Sequence, residues 1–96
     1  MTQVVLHVTY RCAPDKAVEF IMDLKQSGLQ SLVRQEDGCL QYDYFLPVEQ
    51  ADQLLLVEKW TNRDAQAVHM TQPHMAKMKE FKGDYIAPTT LGEVTL

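Results

Sequence analysis

Positive charge is scarce in this chain and never clustered. Nine Lys and Arg stand against thirteen Asp and Glu in 96 residues, a formal net charge of −4. The isoelectric point is about 5.2. No basic run is present to follow a phosphate backbone, so nucleic acid is not an expected partner. Long apolar runs are missing too. No stretch reaches the roughly 20 residues that span a bilayer, so no membrane partner is expected. The opening residues, Met1-Thr2-Gln3-Val4-Val5-Leu6-His7, lack the positive region and small-residue cleavage site of a signal peptide. The cytoplasm is therefore the expected compartment. Cysteine occurs twice, at Cys12 and Cys39, without Cys-x-x-Cys spacing. That suggests neither a zinc ribbon nor a redox pair, but two reduced, partly buried thiols. Dinucleotide, phosphate-loop, Gly-x-Ser-x-Gly and His-Glu-x-x-His motifs are all missing. The sequence thus points to no metal site and no cofactor.

What is present fits a single domain over residues 1–96. The hydrophobic fraction is 46% and the charged fraction 23%, ordinary for a globular chain. So small a domain buries only about two thirds of its unfolded surface, which makes a homo-oligomer attractive.

Residues 3–10 alternate Val4, Leu6, Val8 and Tyr10 with Gln3, Val5, His7 and Thr9, the period of a strand. Pro14 and Asp15 suit a helix entry, proline in the first turn and a carboxylate at the positive end of the dipole. A helix is expected over 15–35, with Ala17, Ile21, Leu24, Gly28 and Leu32 on one stripe. Gln26-Ser27-Gly28 is its weak point. Gly38 suits a left-handed residue after the helix.

A second strand is expected over 39–46, with Leu40, Tyr42 and Tyr44 on one face. A third covers 53–61, apolar on both faces at Leu54-Leu55-Leu56-Val57, as a central strand should be. Thr61 and Asp64 read as a capping box opening a short helix over 63–69. Pro73 restarts a helix with Met75, Met78 and Phe81 or Lys82 on one face, and Lys82-Gly83-Asp84 closes it. Residues 89–96 alternate weakly, as a last strand.

The order strand, helix, strand, strand, helix, strand predicts an α+β fold: a ferredoxin-like antiparallel sheet with helices on one face. The second faces of strands one and three are mixed yet apolar. A second copy covering them would form a dimeric α/β barrel.

Two segments carry a family resemblance. One is Glu36-Asp37-Gly38-Cys39-Leu40-Gln41-Tyr42. The other runs from Leu56-Val57-Glu58-Lys59-Trp60 through His69-Met70-Thr71-Gln72-Pro73-His74-Met75. Their Gly-x-Leu-x-Tyr, Glu-x-Trp and His-x-x-x-Pro-His motifs, in this order and spacing, resemble the antibiotic biosynthesis monooxygenase family. Residues 73–84 look most like its quinol monooxygenase branch. The resemblance implies a homodimer with sheets packed face to face and a cavity between sheet and helices. It also implies oxygenation of electron-rich aromatics by O₂ without metal, flavin or haem. The family includes haem-degrading enzymes and an isomerase of a signal molecule. The haem degraders carry an asparagine in the first strand, whereas Asn62 is the sole asparagine here.

Cofactor-free oxygenation needs a base to make the substrate an electron-rich anion, an apolar pocket for the ring, and donors for the oxyanion. An imidazole changes charge near neutrality and suits that base. His69 is the first candidate, against the plainer role of bonding a free carbonyl at a helix end. His74 is a substrate-binding candidate, against a capping or surface role. Trp60 and Glu58 share one strand face. Trp60 would be the ring wall or simply a core tryptophan. Glu58 would orient a histidine if it faces the cavity, or pair with Lys59, Arg63 or Arg34 if it faces a dimer interface. Tyr42 would donate to a substrate oxygen or merely pack.

The leading expectation is a monooxygenase of a quinol or similar small aromatic. The alternatives are an isomerase of a small carbonyl metabolite and a non-catalytic binding or stress-response dimer. An open pocket containing His69 and Trp60 favours catalysis; a closed core disfavours it.

Overall fold

The computed structural model describes residues 3–12, 16–50, 52–83 and 86–95, the last segment for its backbone alone. Strand β1 (Val4–Cys12) is followed by helices α1 (Lys16–Ser27) and α2 (Leu29–Arg34). Strands β2 (Cys39–Phe45) and β3 (Gln53–Trp60) come next. Helices α3 (Arg63–His69) and α4 (Pro73–Gly83) and strand β4 (Ile86–Thr95) complete the order. The four strands form one antiparallel sheet in the order β2-β3-β1-β4. This is the ferredoxin-like α+β fold expected from the sequence, with β1 and β3 central. No described helix is long and apolar enough to cross a membrane.

Strand alternation divides the sheet into two faces. Val4, Leu6, Val8 and Tyr10 of β1 and Leu54, Leu56 and Trp60 of β3 pack with Phe20, Leu24, Leu29, Val33 and Met78 from the helices. The other face exposes His7 and Arg11 and leaves Leu55, Val57 and Lys59 half-buried.

The helix expected over 15–35 is in fact two helices. Gly28 adopts a left-handed φ of +79° between them. The Ser27 hydroxyl donates to the Leu24 carbonyl at 2.6 Å and accepts from the Leu29 N–H at 3.2 Å. The break resets the helical phase, so α2 buries Leu29, Gln30 and Val33. Leu32, placed on the apolar stripe by a continuous period, is instead 46% exposed. Pro14, Asp15 and Asp84, expected at helix ends, lie outside the described residues.

Two strand details also depart from simple alternation. A register shift between Cys39 and Gln41 sets Cys39 opposite Trp60. Leu40, expected beside Tyr42, is exposed as a result. β4 begins at Ile86 rather than at 89. It contains Pro88, which sits opposite Tyr10 just past a register shift. An edge strand with such an irregularity tolerates a missing N–H.

Gly38 also has a left-handed φ, of +86°, and a Cβ there would lie 2.6 Å from the Ala65 Cβ and 2.8 Å from the Thr61 Oγ1. A Cβ on Gly28 would meet nothing within 4 Å. Gly28→Ala should therefore cost about 1 kcal/mol from backbone strain alone. Gly38→Ala should cost roughly 2–4 kcal/mol, because overpacking adds to the strain. Chemical denaturation of the two variants checks this; equal losses would refute the close approach at Gly38.

Candidate active site

β3 ends by aiming Glu58 and Trp60 at the helix-covered face, where both are buried. The turn after it starts α3 with Asn62, whose side chain accepts from the Ala65 N–H at 2.8 Å. Asn62 is thus the N-cap, in place of the expected Thr61. An extended Asn62 backbone and its amide oxygen satisfy the role directly. The helix so placed turns its last residue, His69, inward until it is 1% exposed.

His69 meets three neighbours there. Its Nδ1 donates to the Glu36 carboxylate, at 2.9 Å from Oε2 and 3.1 Å from Oε1. A carboxylate only accepts, so this contact places a proton on Nδ1. Its Nε2 lies 3.8 Å from Glu58 Oε1. Its ring lies against Trp60, with centroids 4.6 Å apart and planes tilted by 35°. The Trp60 indole N–H donates to the same Glu58 oxygen at 3.2 Å. The second histidine joins from the start of α4, where His74 Nε2 donates to Glu36 Oε2 at 2.7 Å. One imidazole is therefore flanked by two carboxylates, and one of those carboxylates is shared with a second imidazole.

Glu58 therefore turns to the helix-covered side, beside Trp60 and His69. Arg34, one of its suggested partners, pairs with Asp43 and donates to the Tyr42 carbonyl. Burial pushes the Glu58 carboxyl above its ordinary range, with His69, the Trp60 N–H and Lys82 pulling it back. Burial also pushes the phenols of Tyr10, Tyr42 and Tyr44 up, so all three remain neutral donors. The Tyr44 hydroxyl has no well-directed hydrogen bond, though it lies close enough to that of Tyr42 for each to influence the other. Cys12 and Cys39 are free thiols. Burial and nearby carboxylates push both up, which makes them poor nucleophiles.

Beside this cluster a groove of about 940 Å³ opens along α4. Its wall includes Tyr10, Met70, Pro73, Met75, Met78 and Lys82. Met70 is exposed on the rim. None of His69, Glu58, Trp60, Tyr42 or His74 belongs to that wall. The structure brings His69, Glu58, Trp60 and Tyr42 together, with the Tyr42 ring 5.8 Å from that of His69, but closes them from the groove. His74 lines a smaller cleft with Leu29 and Lys77. Among the described residues no group of three or more His, Cys, Asp and Glu is arranged to hold a metal ion.

Sequence reasoning passed over Glu36 as a site residue, although it opens one of the two segments that carry the resemblance. Its histidine partners lie 33 and 38 positions away. Its place at the head of the Glu-x-Gly segment was the available signal. Tyr10 and Lys82 were read only as elements of a strand and a helix end. They meet across 72 positions, with Lys82 Nζ donating to the Tyr10 hydroxyl at 2.8 Å.

A ferredoxin-like domain holding a histidine between carboxylates, next to a groove along its last helix, places the chain among small α+β proteins. The pattern of the antibiotic biosynthesis monooxygenase family matches residues 3–80, and the chain belongs to that family. It is 34% identical over 85 residues to a Bacillus subtilis (strain 168) protein named "Putative monooxygenase YcnE". The match covers 81% of this chain and 84% of that protein. Among solved structures, a conserved protein of Bacteroides thetaiotaomicron VPI-5482 superposes with a TM-score of 0.83 at 22% identity, covering 99% of this chain and 98% of that one. A conserved protein from Methanosarcina mazei Go1 gives 0.80 at 20% identity, covering 100% and 92%. These two likenesses show the fold.

The raised Glu58 carboxyl has a consequence for stability. From its ordinary value of 4.5 up to its higher native one, the folded protein holds a proton that the unfolded chain has lost. Stability therefore falls as pH rises through that window and stays lower above it. Glu58→Gln lacks this loss. Its melting temperature relative to the parent should climb as pH rises from about 4.5 to neutrality. Parallel melting curves across that range would contradict a strained carboxylate.

Proposed function

We propose that this family member is a cofactor-independent monooxygenase of a quinol or similar small phenolic. The observation carrying the reading is His69, buried on the Trp60 face between Glu36 and Glu58 and next to the groove. O₂ is a triplet and reacts slowly with closed-shell molecules, so the substrate must first be made an electron-rich anion. His69 serves as the proton acceptor. Glu36 is a positioning residue, because its bond to Nδ1 leaves the Nε2 lone pair facing Glu58. Glu58 stands behind the groove wall, so this reading requires the wall to open before the substrate proton reaches it; a carboxyl whose affinity for protons is raised then hands that proton on to Nε2. Trp60 orients both by its N–H and its ring. Tyr42 and His74 support this set, Tyr42 against the His69 ring and His74 on Glu36. The phenolate then passes electrons to O₂. Overall, a quinol and O₂ give a hydroxyquinone and water, with the substrate supplying every electron.

The same packing supports a second reading. His69 and Trp60 are closed off from the groove, as in a non-catalytic binding domain. Oxygen uptake by purified protein with a panel of quinols separates the two. Under the first reading uptake exceeds autoxidation, and His69→Ala lowers it by about a hundredfold. Glu36→Gln lowers kcat and leaves KM nearly unchanged, since it acts through His69. Uptake no faster than autoxidation, from folded protein, favours the binding domain, or an isomerase if a carbonyl metabolite is turned over instead.

A homodimer belongs to this proposal. The helix-free sheet face presents Leu55 and Val57 half-buried and Phe45 exposed, a surface suited to a second copy. Light scattering should give twice the chain mass, and Val57→Glu should halve it. A monomeric parent protein would rule the dimer out.

A further inference from the structure

Lys82 occupies a position where a cation is costly. It lies four residues after the fully buried Met78, on the inward side of α4, in the last turn. An apolar residue there would simply extend the core. Instead the ammonium donates to the Tyr10 hydroxyl at 2.8 Å and sits 4.8 Å from the centre of the Tyr10 ring. Tyr10 comes from the central strand β1, so the pair joins the sheet to α4. Both residues line the groove, whose wall is otherwise apolar at Met70, Pro73, Met75 and Met78 and polar at Thr71, Gln72 and Lys79.

The chemistry of the pair is directional. An ammonium carries three N–H donors, of which the Tyr10 oxygen accepts one. Having accepted, the Tyr10 hydroxyl keeps its own proton to give. Burial holds the phenol neutral and pulls the Lys82 ammonium below its ordinary range, while the field of Glu58 opposes that shift. The wall thus offers a cationic N–H and a polarised O–H side by side, framed by methionines that adapt to a flat ring. A neutral apolar ligand has no use for such donors; desolvating them without a partner is unfavourable. A groove of about 940 Å³ accommodates one to three fused rings.

We propose that this groove binds an aromatic oxyanion, a phenolate or ring enolate, with Lys82 and Tyr10 as the two donors to its charged oxygen. The assignment names the ionised form of the substrate for the function proposed above and rests on that reading. It adds a specificity determinant, because phenols that ionise readily bind and their ethers do not.

The test reads binding rather than turnover. 4-Nitrophenol is titrated against the protein and its visible phenolate absorbance followed with pH, beside the neutral ether 4-nitroanisole. In the parent protein the bound phenol should ionise at lower pH than the free one. Its phenolate should bind about tenfold or more tightly than the ether, as charge-assisted hydrogen bonds require. Lys82→Met should abolish that preference while binding the ether within about twofold of the parent, and Lys82→Arg should keep much of it. Should Lys82→Met fail to fold, Met70→Glu on the exposed rim places a negative charge beside the groove, and it should weaken the phenolate selectively. Equal affinity for phenolate and ether, a preference untouched by both substitutions, or no binding to folded parent protein overturns the proposal. Lys82-dependent phenolate binding without oxygen uptake sinks the monooxygenase reading and leaves the anion site standing. Uptake with no phenolate preference does the reverse.

Discussion

Glu36 lies in the connection between α2 and β2, outside any helix or strand, yet two helices meet on its carboxylate. It accepts from His69 at the end of α3 and from His74 at the start of α4, and its side chain is nearly buried. Removing one partner of a buried hydrogen bond typically costs about 1–3 kcal/mol, because the remaining group is left unsatisfied. The constraint fixes where α3 ends, where α4 begins and which nitrogen of His69 carries the proton. The groove depends on that placement, since α4 forms much of its wall, with Glu58 and Trp60 of β3 behind it.

The arrangement is a buried polar layer in a chain with little interior to spare. Glu36, His69, Glu58 and the Trp60 N–H form one connected set, and Lys82 with Tyr10 forms another facing the groove. Glu58 links the two through its field, which acts on both Tyr10 and Lys82. A core of the same volume made of leucine and phenylalanine would be easier to fold. Polar groups kept in such a place, each with a partner, mark where a small domain departs from packing for its own sake. Tyr44, whose hydroxyl lacks a well-directed bond, is where that layer is least satisfied.

The elements themselves were legible because periodicity is local. Alternation in 4–10 and 53–60 and the four-and-three spacing in 16–27 report the face a residue presents before any partner is known. The places where periodicity failed have local causes that a period cannot express. One left-handed glycine at Gly28 reset the helical phase and exposed Leu32. One extra residue near Cys39 moved Leu40 to the outside. Asn62 displaced Thr61 as the cap because its amide oxygen reaches the Ala65 N–H.

By itself the sequence determined the order of strands and helices apart from the break at Gly28, the ferredoxin-like sheet, and the shared strand face of Glu58 and Trp60, because covalent order and side-chain period specify these. Only the tertiary structure decided that Glu36 holds both histidines, that His69 and Trp60 are closed off from the groove, and that Lys82 and Tyr10 line it instead. Those outcomes depend on contacts across 33 to 72 positions and on how buried side chains share a small volume. No local pattern encodes a distance of that kind.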